Sequence, residues 1–312
     1  MRMRMTLAVA AALLLQAAPP STPPDTEIYL ATLTRAEGRI VLGQPVDISN
    51  NPGYDNQPSF TPEGSAILFT SVRGERKPDP ANPAASGSDI YRYDLASARV
   101  SQLTRTPESE YSPIVMPDGR HFSAVRVEAD GTQRLWRFSA DGRDPQVVLD
   151  RVKPVGYYAW SDERTIALFV LGTPGTDEPS TLQVADTRAG TARTVATDIG
   201  RSLLPIPGGH TVSFVQREQQ ADKTVLLIKE LDPATGKIST LTPAVETTTE
   251  VSATWTADGT LLATHNGHLY SWRRGAERWT DVAALDRLGL ENTSRLAVSP
   301  DGRWIAIVAA PQ

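Results

Sequence analysis

A short turn carrying Pro, Asp and Gly recurs along this chain at a nearly constant spacing, and that period constrains the fold more than any other feature. The cleanest copy leads from Val298 through Ser299-Pro300-Asp301-Gly302 into Trp304-Ile305-Ala306-Ile307-Val308. Earlier copies read Phe60-Thr61-Pro62-Glu63-Gly64, Val115-Met116-Pro117-Asp118-Gly119, Trp160-Ser161-Asp162-Glu163, Ile206-Pro207-Gly208-Gly209 and Trp255-Thr256-Ala257-Asp258-Gly259, each followed by an apolar strand. The turn chemistry is local. Pro presets φ, Asp accepts nearby backbone N–H groups, and Gly takes the positive φ that a side chain resists. Self-similarity at a period of roughly 40 to 50 residues describes propeller blades, each a small antiparallel sheet that cannot bury its faces alone.

Five full sets of four alternating or short apolar segments, bounded by Gly, Pro or Asp, run from residue 58 to residue 282. Two strands, 295–298 and 304–308, are left over at the C-terminal end, and two more, 27–33 and 40–48, precede the first full set. Glu27-Ile28-Tyr29-Leu30-Ala31-Thr32-Leu33 matches Asp89-Ile90-Tyr91-Arg92-Tyr93-Asp94-Leu95 almost position for position, so the fold begins in mid-blade. Pairing the two half-blades predicts an all-β, six-bladed β-propeller with four-stranded antiparallel blades, its ring closed by N-terminal strands that complete the C-terminal blade. Such closure removes the open strand edges that would otherwise template aggregation. Each inner strand ends on a large apolar residue, and the column Phe60, Val115, Trp160, Ile206, Trp255 and Val298 reads as core packing between blades.

The expected division is a signal peptide at 1–18, a Pro-rich linker at 19–26 and the propeller at 27–312. Arg2 and Arg4 precede an apolar run from Leu7 to Leu15 and then small residues, which is the pattern of a secretory leader, and the run is too short to span a bilayer. A periplasmic or secreted protein follows, without a transmembrane span once the leader is removed. With no cysteine, both lipidation at a lipobox and disulfides are excluded, and a chain of 312 residues is large enough to be held by its core alone. The net charge of −5, which falls to −7 if Arg2 and Arg4 leave with the leader, argues against nucleic acid as a partner. The closed ring is expected to be a monomer.

The cadence of Ser-Pro-Asp-Gly at 299–302, Asp-Ile-Tyr-x-x-Asp-Leu at 89–95 and Gln-Leu-Thr at 102–104 resembles the six-bladed propeller repeats of TolB. It is less closely similar to the propellers of prolyl-oligopeptidase-type peptidases. The resemblance covers residue 27 to the C-terminus. It implies a propeller alone, without the N-terminal domain that TolB places before its own, which weighs against a role in the Tol envelope system. No Gly-x-Ser-x-Gly elbow accompanies it, so peptidase chemistry is not implied.

Chain direction assigns the loops to faces. The connections after the second and fourth strands of each blade share one face, hereafter face one, with the entries to the inner strands. The longest insertions sit there, at 73–88, 172–180 and 217–223, and loops on a rigid scaffold carry function more often than the scaffold does. Counting back from the turn glycines puts Asp55, Glu110 and Glu250 in one column at the channel mouth, accompanied by Asn56, Tyr111, Tyr158, Arg201 and Arg295. Carboxylates in a ring have the chemistry to hold a divalent cation, and Tyr with Arg that to hold a polar ligand; the alternative is that these are solvated loop residues. His265-Asn266-Gly267-His268 forms a tight hairpin whose histidines face one another, a weak candidate for a transition-metal pair.

No cofactor motif, phosphate loop, zinc signature or nucleophile–base pair is legible. Two readings follow. One is a non-catalytic propeller that binds a protein, peptide or small ligand at face one and the channel mouth. The other is a propeller enzyme of lactonase, lyase or hydrolase type with a metal or polar site in the channel. Fold alone cannot choose between them.

Overall fold

The computed structural model describes residues 24–36, 38–73, 87–173, 175–245 and 251–312. The expected leader, residues 19–23 of the linker, most of the insertion at 73–88 and Glu250 lie outside them. The described strands form six sheets. Blade one orders Asp55–Phe60, Ala66–Ser71, Asp89–Asp94 and Arg99–Gln102 from channel to rim. Blade two uses Ser109–Val115, His121–Val127, Gln133–Ser139 and Gln146–Val147, and blade three Val155–Trp160, Thr165–Val170, Thr181–Asp186 and Thr191–Thr197. Blade four uses Ile199–Pro205, Val212–Gln220, Lys223–Leu231 and Ile238–Pro243, and blade five Ser252–Trp255, Thr260–His265, His268–Arg273 and Thr280–Ala284.

Blade six is made from both ends of the chain. Its inner strands are Arg295–Val298 and Trp304–Ala309, and Glu27–Ala36 adds antiparallel to the latter in the register Glu27↔Ala309 to Thr32↔Trp304. The outermost strand, expected as one segment over 40–48, is broken in two. Arg39–Leu42 pairs with the outer half of Glu27–Ala36, and Val46–Asp47 pairs with Tyr29 and Leu30. Pro45, between them, has no N–H to donate to a ladder. Gly43 lies so close to the neighbouring strand that a Cβ there would stand 2.1 Å from Thr32 Oγ1.

The face-two turns behave as their residues dictate. In the last one the Asp301 carboxylate accepts from Ser299 Oγ at 2.6 Å and from the Arg303 N–H at 3.0 Å, while Gly302 sits at φ 70°. Face one differs from expectation in blade four: the stretch 217–223 is not a loop but the tip of a long hairpin, paired out to Gln220↔Lys223.

Apolar side chains from facing sheets fill the wedges between blades. Phe69, Phe122, Phe138 and Phe214 are fully buried, each worth about 2–3 kcal/mol of apolar burial. In the column that ends the inner strands, Trp160, Ile206 and Trp255 are buried, and Phe60, Val115 and Val298 half-buried. Two of the tryptophans also tie blades together. Trp160 Nε1 donates to Ser123 Oγ of blade two at 2.9 Å, and Trp255 Nε1 donates to Ser213 Oγ of blade four at 2.8 Å.

Candidate functional site: the central channel

Six inner strands converge on a central channel that encloses a cavity of about 370 Å³. Because every inner strand runs from face one to face two, the lining changes along its length. Near face one stand Gln57, Ser112, Tyr157, Arg201, Ser252 and Arg295; toward face two the wall is Phe60, Ile114, Pro205, Trp255, Val298 and Pro300. The channel is therefore polar and cationic at one end and apolar at the other. Its described lining carries two guanidinium groups and no carboxylate.

Arg295 of blade six reaches across the mouth to blade three, which lies opposite it in the ring. Its Nη2 donates to Tyr157 Oη at 3.1 Å, its Nη1 donates to the Ser294 carbonyl at 2.8 Å, and its Cζ lies 5.5 Å from the Tyr157 ring centre. Tyr54 belongs to the same cluster. Burial pushes its phenol pKa up, Tyr157 and Tyr111 push in the same direction, and Arg295 and Arg201 offset part of the effect. Of the residues expected at the mouth, Arg201 and Arg295 line the cavity, whereas Tyr111 packs against the apolar cluster between blades two and three.

Asp55 and Glu110 do not line the channel. Asp55 and Glu110 are fully buried inside the blades, each held by an arginine. Asp55 accepts from Arg73 Nη2 at 2.8 Å and from Asn51 Nδ2 at 2.9 Å. Burial raises its pKa, against the pull of Arg73. Glu110 accepts from Thr106 Oγ1 at 2.5 Å, Thr104 Oγ1 at 3.1 Å and Arg126 Nε at 3.0 Å. Burial pushes its pKa up to about 7, with Asp89 adding repulsion while Thr106, Arg126 and Thr104 offset part of the rise. Both arginines lie over aromatic rings of the third strand or its neighbours, Arg73 at 5.2 Å from Tyr91 and Arg126 at 4.5 Å from Trp136. Asn56 is also buried, with Nδ2 toward Thr26 Oγ1 at 3.4 Å. Tyr158 points between blades, and its hydroxyl lies 2.8 Å from the Ser112 carbonyl and 2.7 Å from the Ser123 carbonyl.

The reason is strand parity. Side chains alternate sides along a strand, so one extra residue exchanges the channel side for the blade side. Register shifts occur in the inner strands between Asn56 and Ser59, between Tyr111 and Ile114, and between Val155 and Tyr157. Gln57 and Ser112, at equivalent places in the first two bulges, adopt φ of 56° and 54°. A sequence count that assumes unbroken alternation therefore takes Tyr158 and passes over Tyr157, Gln57 and Ser112, which line the cavity with it. The Pro that follows Gln57 and Ser112 is the one local signal that could have marked those bulges.

No protein-family model and no curated protein matches the sequence. Solved structures do match. TolB from Acinetobacter baumannii is similar over 93% of this chain and 66% of its own, at 15% identity and a TM-score of 0.54. A TolB candidate from Agrobacterium tumefaciens is similar over 92% of this chain and 99% of its own, at 12% identity and a TM-score of 0.63. The fold of this chain is that of a TolB-like six-bladed propeller. An oligogalacturonate lyase in complex with manganese is similar as well, at 13% identity and a TM-score of 0.56 over 86% of this chain and 80% of its own. At these identities the likeness extends to the fold alone, and this chain spans 66% of the length of the Acinetobacter protein.

On face one of this TolB-like propeller, His265 and His268 are cross-strand partners in blade five. His268 Nδ1 lies 2.9 Å from Asp281 Oδ2 on the rim strand. Among the described residues no group of three or more His, Asp or Glu side chains is placed to hold a metal ion. No described helix is long and apolar enough to cross a membrane.

Proposed function

We propose that the protein is a non-catalytic binding propeller that works in the periplasm or outside the cell and takes a protein, peptide or small ligand at face one and the channel mouth. The observation that carries the reading is the channel itself, a cavity of about 370 Å³ whose described lining offers Tyr, Ser and Arg but no carboxylate or histidine. Such a wall can bind and orient a ligand through hydrogen bonds and charge, yet among its described residues none has the chemistry of a general base near neutral pH. Glu110, whose pKa stands at about 7, is sealed inside blade two and does not line the channel. The pattern of the leader supports an exported protein, and the TolB-like fold is compatible with an envelope role.

The competing reading is a metal-dependent enzyme of lyase or hydrolase type, for which the manganese complex of the oligogalacturonate lyase is the motivating neighbour. Metal analysis of the purified protein, together with melting with and without a chelator, separates the two. The binding reading expects no stoichiometric metal and an unchanged melting temperature. Stoichiometric metal whose removal lowers the melting temperature would overturn it, because a ligand bound only by the native state raises apparent stability.

A further inference from the structure

The channel resolves into two ends of opposite character, and together they specify a ligand. At face one, Arg295 bridges the mouth to Tyr157 with no anion among its described partners, the Ser294 carbonyl and the Tyr157 phenol and ring. Arg201 lines the same end. A guanidinium in a partly enclosed, low-dielectric wall, with no acidic partner among the described residues, favours an anion over a cation. Ser112 adds a second, independent mark. Its backbone is held in the bulge by three bonds: its N–H donates to Gln57 Oε1 at 2.9 Å and to Thr70 Oγ1 at 3.1 Å, and its carbonyl accepts from Tyr158 Oη at 2.8 Å. The Ser112 hydroxyl nonetheless is buried without a hydrogen-bond partner, although the residue lines the channel. A buried donor left unmade is costly, so the bulge that carries it calls for a reason beyond local packing. Below this end the wall is apolar, formed by Phe60, Ile114, Leu204 and Val298.

Building on the binding reading, we propose that the channel is a site for a small organic carboxylate with an apolar body. The carboxylate meets Arg295 and Tyr157 at face one, and the hydrocarbon or aromatic portion lies among the apolar residues toward face two. A cavity of about 370 Å³ is at the small end of the range for ligand pockets, which suits a body of medium-chain length or a single ring rather than a folded partner. Guanidinium and phenol can each keep a hydrogen bond to the same carboxylate, so the mouth need not open a charged group to water for the ligand to be held.

The test is calorimetric titration of the full exported protein with hexanoate, octanoate, decanoate and 4-phenylbutanoate, each beside its primary amide. The expected result is that at least one carboxylate binds ten-fold or more tightly than its amide, and that the preference shrinks at high salt. Arg295→Gln should reduce the preference to less than three-fold. Should that variant fail to fold, Tyr157→Phe carries the comparison, since it keeps the ring on which Arg295 lies and deletes only the hydroxyl; it should weaken the carboxylate several-fold and leave the amide unchanged. No binding by any carboxylate up to 10 mM, equal binding of acid and amide, or a preference that survives in both folded variants would each overturn the assignment. None of these outcomes moves the chelator experiment, so the ligand class and the binding reading fail separately.

Discussion

Glu110→Gln tests which force governs the buried acid of blade two. Two effects oppose one another there. Enclosure in the blade disfavours the charged carboxylate, while Arg126 Nε at 3.0 Å and the Thr106 and Thr104 hydroxyls favour it. Burial wins, and the carboxyl stands at about 7 in the folded protein against 4.5 for an ordinary glutamate. A carboxyl raised on folding contributes stability while it holds its proton. That contribution is fully present below about pH 4.5 and is lost as pH rises through about 7. Between pH 5 and pH 8 the loss amounts to about 2.5 kcal/mol, at about 1.4 kcal/mol for each pH unit between the two states. Gln has no proton to lose. Relative to the parent, Glu110→Gln should therefore gain about 2.5 kcal/mol of stability as pH goes from 5 to 8. Urea unfolding of both proteins at pH 5, 6, 7 and 8, with the slopes held common, measures this difference directly. If the variant instead loses stability relative to the parent as pH rises, the pair with Arg126 outweighs burial and the reasoning is refuted.

Removing residues up to Ser49 takes away the strand that pairs with Trp304–Ala309, so the truncated protein should unfold or aggregate through the bared edge; a stable monomer by light scattering and thermal melting would contradict the closure. Trp160→Phe and Trp255→Phe each delete one buried inter-blade hydrogen bond and should cost about 1.5 kcal/mol apiece. The two lie in different interfaces and should add in the double variant, read from urea midpoints, whereas strong non-additivity would mean the ring transmits strain between them. N-terminal sequencing of the exported protein should find residues 1 to about 18 missing, and an intact Met1 would count against a cleaved leader.

Much of the scaffold is legible in the amino-acid sequence. Turn residues such as Pro300-Asp301-Gly302 act within four positions, and the likeness of 27–33 to 89–95 marks the third strand of two blades and hence the closure between chain ends. These are short-range properties, repeated six times, and tertiary context does not override them. The channel is less legible. Arg201 and Arg295 are legible as polar residues at the entries to inner strands, and both line the channel. Asp55 and Glu110 look like mouth residues because acidic residues near a strand entry are usually solvated, and only the packed blades supply Arg73 and Arg126 from elsewhere in the chain to hold them inside.

What the sequence determined by itself is therefore the number of blades, their order and the manner of closure, since each rests on local turn chemistry and a repeated period. What the tertiary structure alone decided is which side chains face the channel. A strand has a side-chain period of two, so a single bulge at Gln57 or Ser112 exchanges inside for outside. The cost of that bulge is met by partners such as Thr70 and Tyr158, which the chain brings up from neighbouring strands and blades only once it has folded.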